Sequence, residues 1–124
     1  MNMIKKFLAV AALTSAVFST SALANAGDAK VRAAAEGTVA KVEEAIALNS
    51  KGSDKAEVLQ ALSEVRQLQK EFRYEQTERL RQKAGDRLKT AREQVEKGDA
   101  AAGESLQASL DIYKEMLKIY NAAH

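Results

Sequence analysis

The side chains best able to hold a metal or a haem iron are few in this chain. There is no cysteine, and the one histidine, His124, is the final residue. Met116 is the nearest thioether, eight positions earlier. Eight residues along one helix is about 12 Å, whereas two axial ligands each lie about 2 Å from the iron they share. Met116 and His124 are therefore weak candidates as cofactor ligands, His124 is a weak candidate metal ligand alone, and no cofactor is expected. Their plainer roles are core filler for Met116 and a frayed terminal residue for His124. Paired carboxylates exist at Glu43 and Glu44, but neighbours on a helix point about 100° apart. A carboxylate-bridged di-metal bundle needs Glu-x-x-His on two helices, and that spacing is absent. Nucleophilic catalysis needs a base beside the nucleophile and usually a group that orients it. The serines and threonines have no such company, and the six glycines are scattered singly, so no phosphate loop forms. These absences predict a protein that is not an enzyme.

The first 26 residues bound the compartment. Lys5 and Lys6 precede an apolar run from Phe7 to Phe18, and Ala22-Leu23-Ala24 and Ala24-Asn25-Ala26 both fit an A-x-A cleavage pattern. A basic start, a short apolar middle and small residues before the cut describe a secretory signal peptide. Thr14, Ser15, Ser19 and Thr20 interrupt the run, which is shorter than the roughly 20 residues needed to span a bilayer. Residues 1–26 are thus expected to be cleaved, leaving 27–124 as one periplasmic domain with no membrane span. The full chain carries 19 basic and 17 acidic residues. With Lys5 and Lys6 removed the two signs balance, so the basic excess gives no reason to expect a nucleic-acid partner. Between Arg66 and Lys97 ten bases face six acids, which reads as a solvated helix face because the acids are interleaved.

What remains is rich in Ala, Glu, Lys, Gln, Arg and Leu, contains no proline, and repeats its apolar residues every three or four positions. Four amphipathic stripes emerge: Val31, Ala35, Thr38, Val42, Ala45 and Asn49; Val58, Leu62, Val65, Leu68 and Phe72; Leu80, Ala84, Leu88, Ala91 and Val95; and Leu106, Leu110, Tyr113, Leu117 and Tyr120. Gly52 and Gly98 each follow a lysine where a helix would end in a left-handed residue. Asp54 with Glu57 makes a capping-box pattern, and Asp99 is placed to cap the last helix. Lys51-Gly52 and Lys97-Gly98 are 46 residues apart. Carrying that offset back from Val31 places a helix start at Thr77, with a break near Arg73 to Gln76. The prediction is an all-α, up-down-up-down four-helix bundle of two helical hairpins, with helices at about 29–50, 54–73, 77–97 and 100–122. Phe72, Arg73 and Tyr74 are expected to close one end, and Tyr113 and Tyr120 to lie in or beside the core.

Two family resemblances follow from quoted stretches. "EKGDAAAGESLQASLDIYKEMLKIYNAAH" resembles the terminal hairpin of the soluble b-type cytochromes, periplasmic four-helix bundles carrying one haem. That resemblance implies a Met ligand early in the first mature helix and a His late in the last. Here "AKVRAAAEGTVAKVEEAIAL" has no Met, and Leu117 falls near the His position. Glu43-Glu44-Ala45-Ile46, Gly52 and "AEVLQALSEV" are similar to small periplasmic metal-binding proteins built from duplicated helical hairpins. Their metal-binding histidines correspond to residues such as Leu48, Ser53 and Ala61. The leading expectation is a non-enzymatic periplasmic bundle that binds a protein or small-molecule partner through its surface or bundle end. The alternatives are a carrier of haem b or a transition metal, and an envelope-stress chaperone or adaptor.

Overall fold

The computed structural model describes residues 26–124; the expected signal peptide lies outside the described residues except for its final Ala26. Four helices follow one another: α1 (Ala26–Ser50), α2 (Lys55–Glu71), α3 (Glu78–Lys97) and α4 (Ala102–Ala123), with a 3-10 turn at Glu75–Thr77 before α3. The chain is all-α among the described residues, and residues 54–97 form two helices instead of one. Seven of the eight ends lie within two residues of their predicted positions, the usual uncertainty of a frayed helix end, and α1 begins three residues early, at Ala26.

Helix pairing is visible in the contacts that cross it. Lys30 meets Glu71, a Cβ on Gly37 would touch Leu68, and Lys41 meets Glu64. The numbers rise along α1 as they fall along α2, so these neighbours are antiparallel. Arg32 with Asn121, Glu43 with Lys114 and Gly103 beside Asn49 show the same for α1 and α4. α2 packs on α3 and α3 on α4, so each helix has two neighbours and the core lies between all four.

The predicted stripes supply that core. Ala35, Val42, Ala45, Leu62, Val65, Phe72, Ala84, Ala91, Leu106, Tyr113 and Met116 are all fully enclosed. Buried alanines recur on α1 (Ala34, Ala35, Ala45) and α3 (Ala84, Ala91), while α4 brings the large side chains of Leu106, Tyr113, Met116 and Tyr120. Five stripe positions differ, the first two being Val31 and Asn49 at the ends of α1, both half-buried. Leu68 and Leu80 are half-buried, and Met116 takes the interior place next to Leu117, which is half-buried. Thr38 and Ser109 are buried without penalty because each hydroxyl donates to the carbonyl four residues back, on Ala34 and Ser105.

The two glycine turns are built alike. Gly52 and Gly98 have φ of +71° and +70°. In the first turn Ser53 N–H donates to Leu48 O and Gly52 N–H to Asn49 O; in the second Asp99 N–H donates to Gln94 O and Gly98 N–H to Val95 O. Both are Schellman closures, in which a residue without Cβ occupies the left-handed position. The aspartates behave differently from expectation. Asp54 precedes α2 but makes no side-chain cap; Glu57 N–H donates to its backbone carbonyl, so the capping box is not formed. Asp99 does not cap α4, since Ala101 holds that position. Its carboxylate instead accepts from Ala101 N–H at 2.9 Å, an Asx turn that consumes the side chain two residues too early. Lys51 lies just past the end of α1, outside its last turn. Thr77 does precede α3, but its hydroxyl donates backwards to Tyr74 O at 3.0 Å.

Candidate functional site

The sequence-derived ligand candidates are separated by the fold. Met116 is fully enclosed in the core. His124 lies at the end of the bundle, where its Nδ1 is 2.8 Å from Tyr120 O and its ring stacks on Tyr120 at 4.1 Å. It remains an exposed residue at the chain end, held by these two contacts to the last turn of α4. The two residues do not fit a haem, because one faces a filled interior and the other is engaged one end away. Among the described residues no group of three or more His, Cys, Asp or Glu converges to hold a metal.

Tyr120 organises that end. Its hydroxyl donates to the Asp28 carboxylate in the first turns of α1, and Arg32 lies over its ring with the guanidinium 5.2 Å from the centroid. Tyr74 meets it edge-on at 5.4 Å and Phe72 at 6.3 Å. Edge-to-face aromatic pairs of this kind add roughly 0.5–1.5 kcal/mol beyond area burial. Burial first, then the Asp28 carboxylate, pushes the Tyr120 phenol up to about 12. The phenol remains protonated and structural. Chemically the cluster ties the start of α1, the α2–α3 connection and the end of α4 together; Phe72 and Tyr120 leave almost no surface for a ligand.

A more open feature lies along the seam between α2 and α3. A groove of about 480 Å³ is floored by Leu62 and Leu88 and walled by Arg66 and Gln69 from α2 and by Gly85 and Arg92 from α3. Lys89 also borders it, and Glu93 and Glu96 lie towards the α3 C-terminus. Pockets that take small molecules commonly measure about 300–1,000 Å³. Among the described residues Arg66, Lys89 and Arg92 enter no ion pair. Gln69 is oriented by Tyr113, whose buried hydroxyl donates to Gln69 Oε1 at 3.3 Å. Burial also raises the Tyr113 phenol well above its ordinary value, so that donor stays protonated.

Gly85 lines the groove without a side chain. It sits inside α3, and a Cβ built there would meet only Gln69 Oε1, at 3.9 Å. Gly37 contrasts with it: Leu68 Cδ1 would be 3.3 Å from an added Cβ, so close packing accounts for that glycine. A second hollow, beside Lys41 and Leu68 on α2, is crossed by the 2.7 Å Lys41–Glu64 ion pair. That pair lowers the Glu64 carboxyl and raises the Lys41 ammonium from their ordinary values.

Sequence reasoning did not find the α2–α3 groove. The available signal was Gly85, an interior helix glycine in the segment where bases outnumber acids. Its face became meaningful only once α2 was placed opposite. No family model, curated protein or solved structure matches the chain.

Proposed function

We propose that this is an exported, non-enzymatic helical-bundle protein of the periplasm that binds a partner in the groove between α2 and α3. The observation that carries this reading is the groove itself, with a narrow apolar floor and donor-bearing walls held by two packed helices. Pockets of this form place a few polar groups on a rigid, mostly apolar base. The turns near Gly52 and Gly98 are punctuation in this reading, and Met116 and Tyr120 are packing. Export is supported by the basic, apolar and small-residue order of the first 26 residues.

The test is a fragment screen by NMR on isotope-labelled chain, using neutral, anionic and cationic compounds. Saturable hits should shift the amides of Leu62, Gly85 and Arg92. Gly85→Leu, which places a branched side chain in the open volume, should abolish those shifts while the spectrum stays folded. Hits confined to other surfaces, or none at all, would refute the assignment.

A further inference from the structure

We propose that the α2–α3 groove is specific for a small amphiphilic carboxylate: one anionic head on a slim aliphatic body. This rests on the reading of the groove as the binding site and adds the chemical class of its ligand.

The head group follows from the donors. Arg66 stands on α2 and Arg92 on α3, so two arginines line the groove from opposite helices. Guanidinium forks match a carboxylate in plane and spacing, and charge-assisted bonds are about twice as strong as neutral ones. Lys89 adds a third cation, while Gln69 Oε1, which accepts from Tyr113, is the side-chain atom nearest Gly85. Glu93 and Glu96 border the same groove. They lie farther along α3 than Gly85 and Lys89, and their presence disfavours a second anionic group on the ligand.

The body follows from the floor. Leu62 and Leu88 are 0% and 3% exposed, so they offer no broad apolar face to a partner helix and only a narrow strip to any ligand, whose body would lie chiefly against the walls. A slim chain needs only the gap above them. Gly85 borders the groove without a side chain, and nothing packed nearby requires the glycine. An interior helix glycine costs roughly 0.5–1 kcal/mol relative to alanine. Keeping the backbone open beside the ligand is the use that this structure offers for that cost. The aliphatic stems of Arg66 and Arg92 supply apolar walls below their charged ends.

Octanoate is the probe, titrated into the full folded chain by NMR and calorimetry, with octanamide and octylamine as neutral and cationic matches. Octanoate should saturate with shifts centred on Arg66, Gly85 and Arg92. Octanamide should bind at least tenfold more weakly, and octylamine should leave the groove amides unmoved. The Arg66→Gln/Arg92→Gln double variant should lose at least tenfold in octanoate affinity with an unchanged melting temperature. Arg92→Lys, which keeps the charge without the fork, should lose less. Octanamide binding the groove as tightly as octanoate would overturn the carboxylate assignment and leave the groove as a binding site. If octanoate and every fragment fail to saturate the groove, both readings fall.

Discussion

Replacing Gly85 by alanine separates a glycine kept for packing from one kept for open space. In the structure the new methyl would meet nothing closer than Gln69 Oε1 at 3.9 Å, an ordinary contact. The helical backbone there needs no left-handed angle, since the positive-φ glycines among the described residues are Gly52 and Gly98. Alanine in a helix interior is favoured over glycine by about 0.5–1 kcal/mol, largely because the unfolded chain loses less freedom. For a domain of about 100 residues, 1 kcal/mol shifts the melting temperature by roughly 4–8 °C. Gly85→Ala should therefore raise the midpoint by about 2–8 °C in calorimetry, with urea unfolding giving the same sign and an unchanged slope. Gly37→Ala is the control: the added methyl would press Leu68 at 3.3 Å, so its gain should be smaller or reversed. A lower melting temperature for Gly85→Ala would refute the geometry, because something would have to occupy the space that the structure leaves open.

Gly98→Ala should destabilise the chain by about 1 kcal/mol or more, since φ of +70° is strained for any side chain; equilibrium unfolding measures it, and a neutral result would refute the Schellman closure. Tyr120→Phe removes the hydroxyl bound to the Asp28 carboxylate and should cost about 1–3 kcal/mol at neutral pH. The folded phenol titrates at about 12 against about 10 unfolded, so its contribution is complete below pH 10 and fades as pH rises through 12. That fading amounts to about 2–3 kcal/mol at most, and the stability gap to Tyr120→Phe should narrow over the same window in alkaline unfolding. Lys41→Met breaks the half-exposed pair with Glu64 and should cost under about 1 kcal/mol, less in high salt. The depressed Glu64 carboxyl places this contribution above pH 4.5 and removes it as pH falls through the lower folded value; a salt-independent loss above 2 kcal/mol would contradict the screened geometry.

The helices themselves were readable because their signals are local. Leu62, Val65 and Phe72, or Leu106, Tyr113 and Tyr120, recur at the helical period, and all are buried. Gly52 and Gly98 were legible for the same reason, since a left-handed helix end involves only a few consecutive residues. The caps were less so. Asp54 and Asp99 both have types suited to capping, yet a backbone carbonyl serves at one turn and an Asx turn absorbs the other side chain. Residue type lists what a side chain can accept, and the path of the turn decides what it meets.

The amino-acid sequence alone determined the all-α class, the four-helix count and the scarcity of ligating side chains, because these depend on composition and periodicity along one strand of chain. Tertiary structure decided which surfaces became interior and which became a groove. His124 looked like a loose end until Tyr74, fifty residues earlier, was found edge-on against its ring. Arg66 and Arg92 looked like members of a solvated stripe until α2 and α3 set them along one groove. Gly85 looked like scatter until it was seen to line that groove without a side chain. A groove is a relation between two helices, and the spacing within either one does not contain it.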